Sequence, residues 1–239
     1  MPTWKHSFHN FLNLFLQSHC PLCQRPTSGE FCPYCTKQLQ SCQHKDPAAL
    51  WQQPIPVFGW GIYGGIVKRA IAVMKYENQP QIARPLGQWL GEAWLLSNVS
   101  KCQPTLPLVV PIPLHPQKQK TRGYNQAALI AQSFCQTTGL KLQINGLKRV
   151  QETKAQFGLS VSERESNLAE AFAVGEELRR RRLHVPVLLV DDIYTTGATT
   201  RSAVKILNQH GITVLGLVAV TTSLKISQQL TVEKPIINR

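Results

Sequence analysis

No stretch of this 239-residue chain approaches the long uninterrupted apolar run of a transmembrane helix, so a membrane-spanning protein is not expected. A secretory leader is also missing from the sequence pattern. The opening "WKHSFHNFLNLFLQSH" carries one lysine near its start, has no small-residue cleavage site, and interrupts its apolar residues with polar ones. Internal repeats and low-complexity tracts are absent, which removes solenoids and disordered chains from consideration. Acidic residues are scarce: 13 Asp and Glu face 26 Lys and Arg, a formal net charge of +13. Such an excess implies a polyanionic partner or a strongly solvated surface. The 43% hydrophobic content is enough for a real core, and the length suits one α/β domain with a small appendage.

What is present begins with an apolar stripe at helical spacing, Trp4, Phe8, Phe11, Leu12 and Phe15, which is expected to pack on the body of the protein. Four of the seven cysteines then fall in pairs, Cys20 with Cys23 in "CPLC" and Cys32 with Cys35 in "CPYC". Two C-x-x-C turns can aim four thiolates at one ion, the closed tetrahedral arrangement of structural zinc. A pair of redox-active motifs is the competing reading, and His19 and Cys42 are substitute ligands. After Cys42 the passage "QHKDPAALWQQPIP" reads as a linker. The expected division is therefore 1–55, an N-terminal helix and zinc module, and 56–239, the main domain.

From residue 57 onward strand and helix patterns alternate. "VFGWGIY" reads as a strand, and Ile66, Ala70, Ile71 and Met74 mark a helix. A second helical pattern covers Leu86 to Leu96, and "PLVVPIP" is a buried strand cut short by prolines. Asn125 opens a helix that Gly139 can close in the left-handed conformation. Ser160 and Glu163 stand at capping-box spacing for a further helix. Four aliphatics in "VPVLLV" suit a parallel strand covered on both faces. A helix through Ala203, Val204 and Leu207 and the strand "ITVLGLVAV" follow. This order predicts a mostly parallel sheet flanked by helices on both sides.

The candidate site is "VLLVDDIYTTGATT", residues 187–200. Ligands of open parallel sheets bind at carboxyl ends of strands, where Asp191 and Asp192 are expected to face a crevice. Thr195, Thr196, Gly197, Ala198 and Thr199 bring hydroxyls and free amides to the start of the next helix, a natural phosphate cradle. Acid beside a phosphate cradle points to a sugar phosphate, with the carboxylates on ribose hydroxyls directly or through Mg2+.

This stretch resembles the phosphoribosyl pyrophosphate (PRPP) signature of type I phosphoribosyltransferases. A resemblance to the ComF/ComFC family covers nearly the whole chain. It is carried by "VVPIPLH" at 109–115, "PQKQKTRGYNQAALIA" after it, "LKRVQETKAQFGLSVSERESN" at 147–167, "AF" at 171–172 and the paired cysteines. The family is associated with bacterial competence, the uptake of single-stranded DNA. The resemblance implies a type I phosphoribosyltransferase fold, PRPP with Mg2+ as ligand, and a cytoplasmic protein that meets competence machinery at the inner face of the membrane. It places Pro111 and His115 at a pyrophosphate turn and Lys118, Lys120 and Arg122 on a mobile loop that closes over it, although His115 serves equally as a structural hydrogen bonder. Asp191 and Asp192 are the candidate catalytic groups. The acceptor is unknown, and Thr195 stands where purine-salvage enzymes place an Asp, which disfavours a purine. An active transferase in nucleotide metabolism and a PRPP-sensing regulator are the alternatives. Charge beyond what PRPP can use, on Lys148, Arg149, Arg164 and the run Arg179, Arg180, Arg181, Arg182, points to a single-stranded nucleic acid groove. Tyr34, Tyr124 and Phe157 are the candidate stacking residues.

Overall fold

The computed structural model describes residues 18–52, 54–150, 171–179 and 185–223. The N-terminal apolar stripe, the Ser160/Glu163 capping pair, Phe157, Arg164 and Arg180 to Arg182 lie outside the described residues.

A short helix, α1 (Pro33–Gln40), starts inside the second cysteine pair, with Cys32 as its N-cap and Cys35 in its first turn. The body then runs β1 (Val57–Ile62), α2 (Gly65–Tyr76), α3 (Ala83–Leu96), α4 (Asn98–Lys101), β2 (Leu108–Pro111), α5 (Pro116–Arg122) and α6 (Gln126–Thr138). It continues with β3 (Leu147–Arg149), β4 (Phe172–Val174), α7 (Glu176–Arg179), β5 (Val187–Tyr194), α8 (Ala198–Gln209) and β6 (Val214–Thr222). Four strands form one parallel sheet in the order β1-β6-β5-β2, while β3 and β4 pair antiparallel as a separate ribbon. The mostly parallel sheet with helices on both sides is as the alternating pattern requires.

Each strand divides its side chains between two cores, as its two-residue period dictates. Phe58, Trp60, Val109, Leu188, Val190, Val218 and Val220 face α2, α3 and α6. Val57, Val110, Val187, Leu189, Leu217 and Ala219 face α8 and the ribbon. Local signals set the helix ends as expected. Asn125 Oδ1 accepts from Ala127 N at 3.1 Å, and Gly139 closes α6 at φ 74°.

Two expectations change. The passage after Cys42 is held firmly: His44 N donates to Trp60 O at 2.8 Å, and Trp51 packs edge-on against Trp94 with centroids 5.5 Å apart. Lys118, Lys120 and Arg122 sit on helix α5, not on a loop. Pro116 is tolerated in its first turn, the His115 ring accepts from Gln117 N at 3.3 Å as N-cap, and Gly123 ends it at φ 87°.

Candidate functional site

The acidic strand end owes its exposure to a step in the sheet. Strand β2 stops at Pro111, opposite Val190, because the prolines that follow cannot extend a ladder. On the other side β6 continues, pairing Asp191 with Ala219 and Tyr194 with Thr222. Strand β5 therefore runs through both acids to Tyr194, farther than the aliphatic run 187–190 indicates. Helix α6, in the connection after β2, covers one face of the sheet, and α8, after β5, covers the other. The ends of β2 and β5 thus flank a topological switch point, the usual ligand crevice of an open parallel sheet.

Adjacent residues on a strand point to opposite faces, and this separates the two carboxylates. Asp192 turns toward α2 and α6 and is 3% exposed. Lys75, from the last turn of α2, forms an ion pair with its Oδ2, and Gln126 Nε2 donates to Oδ1 at 3.4 Å. Gln126 Oε1 accepts from Arg122, which links α5 to the acid through one side chain. The expectation that both acids face open crevice therefore holds only in part. Lys75 occupies the Oδ2 side of Asp192.

Asp191 is half-buried on the ribbon side. Burial first, and then the neighbouring Asp192, push its carboxyl well above the usual range, while Asp192 N donates to Asp191 Oδ1 at 2.8 Å. Arg149 on β3 shares this face: its guanidinium stacks over Phe172 at 5.4 Å, burial lowers its pKa, and the Asp191 charge opposes that shift. Each acid thus has a cation on its own face, Lys75 for Asp192 and Arg149 for Asp191.

Thr195 and Thr196 are exposed, and Thr199 is half-buried, around the N-terminus of α8. Gly197 is the N-cap at φ 75°, and no side chain caps the helix, so its first amides remain open to an anion. A Cβ on Gly197 would stand 2.6 Å from the Tyr194 hydroxyl, so glycine is required here on two counts.

Across the end of α2, a cavity of about 870 Å³ opens between α2 and α5. Lys75, Lys118, Lys120 and Arg122 line it, together with Tyr76, and among the described residues no carboxylate does. Pro111 is buried at the end of β2. Lys148 and Arg179 are exposed and do not line this cavity. Of the expected stacking residues, Tyr124 donates its hydroxyl to Met74 O and packs on the core, and Tyr34 is 55% exposed beneath Arg25. Lys75, Gln126 and Tyr76 were missed in the sequence. Gln126 alone had a signal, its place in "GYNQ"; the other two lie on or beside the polar face of an amphipathic helix.

The metal module is built locally. Cys20 O accepts from Cys23 N and from Gln24 N, and the left-handed Gln24 (φ 62°) closes the first knuckle. Cys32 caps α1 with its sulfur on Cys35 N at 3.5 Å. The Sγ atoms of Cys20, Cys23, Cys32 and Cys35 all lie within 4.8 Å of one another, and three of these residues are buried. Tetrahedral zinc needs sulfurs slightly closer than this, so the cluster fits the ion. The backbone N–H of Cys35 is the main influence drawing the Cys32 thiol down to about 7, while burial pushes Cys35 up. Among the described residues neither His19 nor Cys42 joins the cluster.

Fold and site together define an α/β protein with an acid pair and a Thr/Gly turn at a parallel-sheet switch point, joined to a four-thiol module. The chain belongs to the competence protein F (ComF/ComFC) family. It is 32% identical over 207 residues to competence protein F of Haemophilus influenzae, covering 81% of this chain and 85% of that protein. It is 29% identical over 194 residues to DNA utilization protein YhgH of Salmonella typhi, with 81% and 79% covered. It is 28% identical over 197 residues to competence protein ComFC of Bacillus subtilis, with 80% and 72% covered. No family model matches the chain. Among solved structures it is similar to adenine phosphoribosyltransferase of Leishmania tarentolae, with TM-score 0.38, 14% identity and 67% of each chain covered. It is also similar to the glutamine PRPP amidotransferase of B. subtilis, with TM-score 0.36 and 21% identity, covering 59% of this chain and 26% of that one. Among the described residues no helix is long and apolar enough to cross a membrane.

Proposed function

We propose that this chain binds PRPP with Mg2+ at the β2/β5 switch point and binds single-stranded DNA on its basic surface, serving DNA uptake. The observation that carries the reading is one continuous feature: Asp191 and Asp192 on β5, followed without a break by an uncapped helix N-terminus behind Thr195 to Thr199. One sugar phosphate satisfies both halves, its hydroxyls or cation on the acids and its 5-phosphate on the amides. Mg2+ would be held first by Asp191, and it would supply charge neutralisation for the pyrophosphate. The chain's own contribution is positioning: the Thr/Gly turn holds the phosphate, and Asp191 and Asp192 orient the ribose. Lys118, Lys120 and Arg122 on α5 supply positive charge to the pyrophosphate end. Zinc in the four-cysteine cluster is structural and ties the two cysteine turns, at Cys20/Cys23 and Cys32/Cys35, together.

The DNA half of the proposal is supported by the competence and DNA-utilization relatives and by a +13 charge that one PRPP cannot use. Calorimetric titration of PRPP, with and without Mg2+ and then with single-stranded DNA present, tests both halves. Saturable Mg2+-dependent heat and separate strand binding are expected. PRPP binding without any strand binding at low salt would leave a transferase or sensor as the better reading.

A further inference from the structure

The described surface holds one exposed aromatic side chain set among cations, and the functional reading above does not use it. Tyr76, the last residue of α2, is 78% exposed. It takes no part in the hydrophobic core, unlike Tyr124, which packs against it. The Arg122 guanidinium lies over its ring at 5.6 Å from the centroid and is itself anchored to Gln126. One ring face is thereby braced, and the exposure leaves the other to solvent. The ring stands at the edge of the cavity of about 870 Å³ that Lys75, Lys118, Lys120 and Arg122 also line. Lys75 is engaged by Asp192, but Lys118, Lys120 and Arg122, with no carboxylate lining the cavity among the described residues, would suit a phosphate of any source. A braced, solvent-facing aromatic beside them suits an anion that also carries a flat base. A stacking platform within a positive groove is how single strands are held without regard to sequence.

We infer that the cavity between α2 and α5 is a seat for one nucleotide of a single DNA strand, with Tyr76 stacking on the base and Lys118 and Lys120 facing its phosphates. The inference rests on the proposal that the chain binds single-stranded DNA, and it locates that binding at α5 and not along the ribbon that carries Lys148. PRPP has phosphates but no base, so the two anions are separable by experiment.

The test compares wild type, Tyr76→Ala and Tyr76→Phe for binding of a short oligothymidylate, of an abasic strand of equal length, and of PRPP with Mg2+. Tyr76→Ala is expected to weaken oligothymidylate binding about tenfold or more, and Tyr76→Phe to keep it within about twofold, because stacking needs the ring and not the hydroxyl. Binding of the abasic strand and of PRPP should stay at the wild-type level, and the salt dependence of oligothymidylate binding should keep its slope, since no cation is lost. Lys118→Gln with Lys120→Gln should flatten that slope. Equal loss of abasic and thymidylate binding in Tyr76→Ala, or no loss of either, overturns the platform while leaving strand binding intact. No wild-type binding of any strand at low salt overturns the underlying DNA reading as well.

Discussion

The four-cysteine module and the acidic end of β5 are both clusters of ionisable side chains, but they differ in how the surrounding chain treats them. In the module, backbone amides and buried neighbours close around the sulfurs, and its core merges with that of the body. Phe31 stacks on Trp89, and Trp89 on Trp60, with centroids 6.3 and 5.5 Å apart, while Glu30 pairs with Arg84. At the strand end one acid is matched by Lys75, and the other is left with raised pKa beside an uncapped helix. The cysteines are enclosed by the core and gathered at one point, whereas the acids are split between the two faces of a strand end beside a helix start that no side chain caps.

Disturbing the module should have the largest effect. Cys32→Ser is expected to lose the metal and release residues 18–42 to proteolysis, because ion binding on the order of 10 kcal/mol is folding free energy in such sites. Metal content by mass spectrometry and limited proteolysis check it, and stoichiometric zinc in a compact variant would dissolve the contrast. Asp192→Asn comes next. It leaves Lys75, whose side chain is 17% exposed, without its counter-charge, and stability should fall by up to about 3 kcal/mol in denaturant titration.

Asp191→Asn should do the reverse. The folded-state pKa of Asp191 is raised, so the folded protein holds that proton over a pH range where the unfolded chain has released it. Stability contributed by the protonated form is therefore lost as pH rises through that range, and at neutral pH the neutral Asn is expected to raise the melting temperature. A variant that melts lower would mean that Asp191 is satisfied within the fold.

Much of this was legible in the chain, and some of it could have been read further. The aliphatic runs at 108–110 and 187–190 gave buried parallel strands, and Asn125 and Gly139 gave both ends of α6. The two-residue period that makes 187–190 a strand also sends Asp191 and Asp192 to opposite faces, so their separation was available from the sequence. Helix α5 was hidden because seven residues with Pro116 at the start and three cations offer no apolar stripe. The ribbon strands, three residues each, are too short for any periodicity. The Lys75–Asp192 pair joins residues more than a hundred positions apart, and no local pattern encodes it.

The smallest effect concerns the segment between the two regions. His44 is 9% exposed, its Nε2 lies 3.1 Å from Thr222 Oγ1, and burial holds its pKa below the usual value. The unfolded chain takes up this proton first, so stability should decline as pH falls below about 6.5. His44→Gln should lessen that decline in melting curves taken at about pH 7.5 and pH 5.5. An unchanged decline would assign the acid sensitivity elsewhere.

The central claim is that the incompletely matched acids of β5 are kept for PRPP. Calorimetric titration of PRPP with Mg2+ into the wild type and into Asp191→Asn tests it most directly. The account predicts saturable, Mg2+-dependent binding in the wild type and its loss in a variant that is at least as stable. Unchanged PRPP affinity in folded Asp191→Asn would contradict it.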